Sequence, residues 1–254
     1  MTRTILCGFA FLFAGCANPT IDEDSQQSSD ELVSNQTFAD AARVVQSINY
    51  LPFEYKQDGC YARSLYMAME LASTGHESNA IFAFAKPGTV LRVGTVEWGY
   101  HVAPMLFVGA SYQSARWMVI DPSISRTALD AADWIGRMGF GASTPDSQYP
   151  SVATVPGAAL GPADPDFDAR TASRSGTPLT DVPDFASMPA FKVSKIQFAC
   201  NTMQSYLALE NASNVATKSA TLVRRTRQLI VSLNSLRKIS ADVTFNATEC
   251  GASK

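Results

Sequence analysis

At 254 residues, of which 46% are hydrophobic and 17% charged, the chain can bury one ordinary core with appendages. A net charge of −3 gives no electrostatic basis for a nucleic-acid partner and sets that class aside. The five cysteines and two histidines fall in no metal-ligand spacing, so neither a metal nor another cofactor is expected.

The N-terminus carries an address. Arg3 precedes an apolar run from Ile5 to Phe13, and residues 1–15 read as a signal peptide too short to span a membrane. Leu12-Phe13-Ala14-Gly15-Cys16 resembles a bacterial lipobox, which implies a lipid on Cys16 and an exported lipoprotein of the cell envelope. Ala17 fits an outer-membrane or surface destination, and a soluble secreted product is the alternative. Residues 16–36 are polar and acidic and read as a flexible tether.

A helix is predicted over 37–49, with Phe38, Ala41, Val45 and Ile48 on one side. Asp58 then reads as the N-cap of a second helix over 60–72, whose buried face holds Ala62, Leu65, Met69 and Ala72. Cys60 falls in its first turn, where free N–H groups and the helix dipole stabilise a thiolate and can receive an oxyanion. Alone, a cysteine there reads as a small buried hydrophobe. His76 sits in Ser73-Thr74-Gly75-His76-Glu77-Ser78-Asn79, a surface loop, which leaves His101 as the candidate base.

Residues 100–108 and 116–120 read as two strands joined by 109–115. A hairpin centred on Ser111 sets His101 directly opposite Asp121, on one face. A carboxylate there fixes the imidazole tautomer and stabilises its cation, and thiol, imidazole and carboxylate are the parts of covalent acyl transfer. Taken separately, His101 is a core histidine and Asp121-Pro122 starts a turn.

The core is expected to run over 37–141, closing on a short helix at 131–135. Eight of the thirteen prolines lie between 143 and 189, so 142–190 reads as a loop segment, either a substrate-facing flap or an insertion without a role. Residues 191–254 form a helical unit. Ile196, Cys200, Met203 and Leu207 line one helix, and Leu222, Leu229, Leu233 and Leu236 the next. Cys200 and Cys250 are the natural disulfide pair. Arg224, Arg225, Arg227, Arg237 and Lys238 make the second helix basic, as a docking face for anionic partners or as a solvated face.

Asp58-Gly59-Cys60-Tyr61-Ala62-Arg63, Trp98-Gly99-Tyr100-His101-Val102-Ala103 and Ile120-Asp121-Pro122-Ser123 together resemble the signature of bacterial protein-glutaminases, over residues 58–134. The resemblance implies an α+β fold with a papain- and transglutaminase-like core, in which a nucleophile-bearing helix packs on an antiparallel sheet, here with the C-terminal helical unit appended. It implies Cys60 as nucleophile, His101 as base and acid, and Asp121 as orienting carboxylate. The implied reaction is deamidation of glutamine in proteins or peptides, through a thioester and with release of ammonia. Trp98 and Tyr61 are then walls for the glutamine stem or plain packing residues. Leu65 stands where the family has His, and its extracellular members carry more cysteines and a long pro-segment. A papain-like peptidase or a transglutaminase would use the same three residues, and a surface-lipoprotein binding module is the non-enzymatic alternative. Membrane contact is expected only through the lipid anchor.

Overall fold

The computed structural model of the protein describes residues 32–111, 114–141, 143–160, 189–210 and 213–251. The signal peptide, Cys16, most of the tether and most of the Pro-rich segment lie outside them. The first helix, α1, runs over Asn35–Gln46 and is capped by Ser34, whose side chain accepts the Thr37 N–H at 3.2 Å. Ala41 and Val45 are buried on its inner side, as their spacing requires.

Helix α2, Cys60–Ser73, is the centre of the molecule and is buried at every position from Cys60 to Ala72. Its N-cap is Gly59, not Asp58. Asp58 instead accepts the neighbouring Gly59 N–H at 2.6 Å, while Gly59 takes the left-handed conformation at φ 78° that glycine adopts without a Cβ penalty.

Against α2 lies an antiparallel sheet of β2 (Asn79–Phe84), β5 (Tyr100–Val108), β6 (Arg116–Val119), β7 (Leu129–Asp130) and β8 (Ser151–Pro156), in the order β7-β6-β5-β2-β8. A short β1, Leu32–Val33, pairs in parallel with the end of β5. Phe82, Val102 and Leu106 face α2, whereas Ile81, Ala83, Ala103 and Met105 face a second cluster with Trp98, Trp117 and Trp134. That second cluster is covered by a two-strand ribbon, β3 (Leu91–Val93) with β4 (Val96–Trp98), and by α3, Ala131–Arg137. A helix carrying the cysteine on an antiparallel sheet carrying the histidine is the expected α+β arrangement.

Within the sheet, the β5–β6 register and β8 depart from the sequence reading. Met105 opposes Val119 and Val108 opposes Arg116, a register offset by two residues from the one that sets His101 opposite Asp121. Gly109 permits it, since a Cβ there would lie 2.6 Å from Ala115 Cα. An offset of two preserves the face, so Asp121, just beyond the last rung from Ile120 N–H to Pro104 O (3.0 Å), becomes a diagonal neighbour of His101. The second difference is β8, which lies within the Pro-rich stretch and pairs with β2 along its whole length.

The C-terminal unit consists of α4 (Val193–Leu207), α5 (Val215–Ser235) and α6 (Ala247–Gly251), with a parallel pair of β9 (Phe191–Lys192) and β10 (Ile239–Ser240). Ile196, Cys200, Met203, Leu207, Leu222, Leu229 and Leu233 join the core that α2 occupies, but Leu236 ends α5 and is 44% exposed. The basic character of α5 is partly internal. Arg225 pairs with the buried Glu70 of α2, which also accepts the Tyr50 hydroxyl at 2.6 Å. Cys200 and Cys250 form a disulfide that ties α6 to α4 across 50 residues. Replacing both cysteines by alanine is expected to lower stability by about 2–4 kcal/mol, read from urea unfolding. An unchanged midpoint would show that helix packing alone fixes the unit.

Candidate functional site

The structure brings Cys60, His101 and Asp121 together where α2 begins, β5 begins and β6 has just ended. Their residues are 5%, 1% and 3% exposed, so the chemistry open to them takes place out of bulk water. Cys60 is the first residue of α2, and the first intrahelical bond runs from Arg63 N–H to Gly59 O (3.0 Å). The N–H groups ahead of it belong to the free first turn, a natural receptor for negative charge.

Asp121 is held by three donors. His101 Nε2 and Trp134 Nε1 reach Oδ2 at 2.8 and 2.9 Å, and the Ser123 N–H reaches Oδ1 at 3.0 Å. The last bond closes an Asx turn, which explains the local sequence Asp121-Pro122-Ser123. Burial pushes the carboxyl up, but the charge and hydrogen bond of His101, with those of Trp134 and Ser123, overcome it and hold its pKa below the ordinary value.

For His101 burial also opposes the charged form. Asp121 outweighs it by charge and hydrogen bond, the Cys60 thiol adds to the effect, and the imidazole is raised to about 9. Nε2 is committed to Asp121, and Nδ1 is buried without a hydrogen bond of full geometry, which leaves it as the ring nitrogen for the thiol. Trp98 stacks on the imidazole with centroids 4.4 Å apart and planes at 11°, and Trp134 lies 5.7 Å away at 26°. Two indole faces at such distances favour the cation further.

Trp98 donates its indole N–H to Lys56 O at 2.6 Å, so it braces the loop before Cys60 and presents a face, not a donor, to the site. Tyr61 turns toward α4, with its hydroxyl 2.9 Å from Thr202 Oγ1 and its ring 6.2 Å from Phe198. Sequence reasoning missed two members of the site. Trp134 was legible only as the end of the core, although its N–H orients the carboxylate. Arg63 is 1% exposed, donates from Nη1 to Tyr55 O (2.9 Å) and Pro52 O (3.2 Å), and leaves Nε and Nη2 without partners. Burial lowers its pKa while Cys60, Asp121 and Asp58 pull back, so it brings positive charge to the site. Its signal was present: a lone charge inside the apolar run from Tyr61 to Met69. Among the described residues, no group of three or more His, Cys, Asp or Glu could hold a metal ion.

With this geometry in place, comparison with known proteins is informative. Residues 31–138 match the family model described as glutaminase. Similar solved structures include a crystal structure of protein-glutaminase, 19% identical with a TM-score of 0.43, covering 60% of this chain and 96% of that one. The NMR structure of protein-glutaminase from Chryseobacterium proteolyticum is 20% identical, with a TM-score of 0.42 and coverage of 59% and 96%. A crystal structure of pro-protein-glutaminase is 19% identical, with a TM-score of 0.42 and coverage of 64% and 66%. No curated protein matches the chain.

The raised imidazole gives a test with a definite sign. A folded-state pKa of about 9 against 6.5 means the His101–Asp121 pair stabilises the fold fully below pH 6.5 and loses that contribution as pH rises through 9. With only two histidines in the chain, NMR titration resolves both. His101 is expected to titrate near 9 and to fall in Asp121→Asn; a wild-type value at or below 6.5 contradicts the charge network.

Proposed function

From the match of residues 31–138 to the glutaminase family model and from the geometry of the site, we propose that the protein deamidates glutamine side chains of proteins or peptides, using Cys60, His101 and Asp121. The observation that carries this reading is the linked chain of groups at the start of α2. There a nearly buried cysteine meets an imidazole whose other nitrogen is bound 2.8 Å from a carboxylate with two further donors.

In this mechanism the Cys60 thiolate attacks the glutamine carboxamide carbon, forming a carbon–sulfur bond, and the carbonyl becomes an oxyanion received by the free N–H groups of the first turn. Collapse of the intermediate breaks the carbon–nitrogen bond. The imidazolium of His101 gives its proton to the departing nitrogen, which leaves as ammonia. His101, now neutral, takes a proton from water, whose oxygen attacks the thioester. Glutamate forms and the thiolate–imidazolium pair returns. Asp121 stays ionised throughout and holds the imidazole by Nε2. Trp98 lies flat against the imidazole and excludes water from that face, while Tyr61 walls the site toward α4. A thiol this deeply set favours a slender carboxamide side chain over a backbone amide flanked by residues on both sides, which argues for deamidation before peptide cleavage.

Export is the second part of the proposal. Cys16, outside the described residues, receives the lipid, and the polar stretch to residue 36 tethers the enzyme to the envelope. Among the described residues, no helix is long and apolar enough to cross a membrane.

Ammonia release from an unfolded glutamine-rich protein, with intact-mass analysis of the product, tests the reaction. Wild type is expected to add one dalton per event without cleavage or cross-linking. Cys60→Ala is expected to be inactive yet folded, and Asp121→Asn to lower kcat on the order of 10²-fold or more. Fragments or cross-links would transfer the same residues to peptidase or transglutaminase chemistry, and an active Cys60→Ala would remove the assignment. For the anchor, metabolic labelling with palmitate is expected to mark the wild type and not Cys16→Ser; equal labelling of both contradicts it.

A further inference from the structure

The loop that delivers Cys60, residues 53–59, has no regular structure of its own, and the C-terminal unit grips it at four residues. Glu210, buried three residues beyond α4 and paired with Lys218, accepts the Glu54 N–H at 2.9 Å. The Tyr206 ring stacks on Tyr55 with centroids 4.8 Å apart, and its hydroxyl donates to Asp58 Oδ2 at 2.7 Å. The same ring covers Gly59 so closely that a Cβ there would lie 2.6 Å from Tyr206 Cδ2 and 3.0 Å from Met203 Cε. Asp58 is thereby bound on both oxygens, one to Tyr206 and one to the Gly59 N–H.

Gly59 is the left-handed residue that turns the chain into α2, and the residue after it is the nucleophile. Rotation at Gly59 would swing both the Cys60 side chain and the Cys60 N–H. Tyr206 opposes that rotation by contact of its ring and, through Asp58, by hydrogen bonding. It lies far outside residues 31–138, on a helix tied by the Cys200–Cys250 disulfide.

We infer that Tyr206 is a positioning residue for the nucleophile: its hydroxyl and ring lock the Asp58-Gly59 turn, so the C-terminal helical unit is a working part of the active site and not an appendage. Part of the test rests on the deamidase reading, and part is independent of it. Tyr206→Phe removes the hydroxyl and keeps the ring over Gly59; Tyr206→Ala removes both. In the full chain, the rate of Cys60 carboxamidomethylation by iodoacetamide is followed on the Cys60 peptide across pH, beside kcat, KM and melting temperature. Tyr206→Phe is expected to slow both alkylation and kcat by about tenfold, with KM and melting temperature unchanged and every molecule still titratable. Tyr206→Ala is expected to lose more. Wild-type alkylation and kcat in a folded Tyr206→Phe and a folded Tyr206→Ala overturn the inference, as does a Tyr206→Ala that only melts earlier at unchanged rates. If the wild type releases no ammonia while alkylation still falls in Tyr206→Phe, the clamp stands and the deamidase reading fails.

Discussion

Helix α2 is buried from Cys60 to Ala72, and a helix with no solvent face draws partners to the polar side chains it carries from the elements packed around it. That demand organises the molecule. Glu70 is answered by Tyr50 and by Arg225 of α5, and the Tyr66 hydroxyl by Thr226 at 2.6 Å, again on α5. Arg63 is answered by the carbonyls of Pro52 and Tyr55. Losing Arg225 would strand a buried carboxylate, which costs far more than a surface pair is worth. The C-terminal helices are therefore bound to the core by α2's polar needs as well as by its apolar ones.

The same constraint sets up the chemistry. With α2 fixed against both the sheet and the C-terminal helices, its N-terminus is held beside the start of β5 and the end of β6. The sheet supplies His101 and Asp121 from adjacent strands, and the second hydrophobic cluster supplies two indoles. Trp98 orders the imidazole and Trp134 orders the carboxylate. Each group is held by at least one neighbour that does not itself react, the condition under which a charge network is ready before substrate arrives. Burial works against the imidazolium, and the charge and hydrogen bond of Asp121 outweigh it, so the raised imidazole depends on the carboxylate that Trp134 and Ser123 hold in place.

Much of this was legible in the chain. Cys60 and His101 could be read from local sequence, because a helix start after Asp58-Gly59 and the absence of a second well-placed histidine leave few options. Asp121 was legible by parity: a strand alternates faces every residue, so an error of two in register moved the pair from opposite to diagonal without separating them. The register itself depended on the Gly109–Ala115 approach, a contact across the hairpin that no periodicity reveals. β2 escaped notice because Asn79-Ala80-Ile81-Phe82-Ala83-Phe84 is buried on both faces and so shows no alternation. β8 was hidden by the composition around it, since prolines at its borders signal loop more loudly than six residues signal strand. The roles of Trp134 and Tyr206 rest on contacts between separate segments, for which local pattern has no sign, whereas Arg63 did leave one as the lone charge of an apolar stretch.

In the proposed mechanism Cys60 carries the substrate's acyl group, with His101 and Asp121 arranged to form and discharge it. Trapping that intermediate tests it most directly: the enzyme is mixed with a short glutamine peptide, quenched in acid during turnover, and the adduct is mapped by mass spectrometry. The account predicts the mass of the peptide less one ammonia on Cys60, discharged by hydroxylamine as a thioester is. Turnover without any adduct on Cys60, or an adduct on another residue, would contradict it.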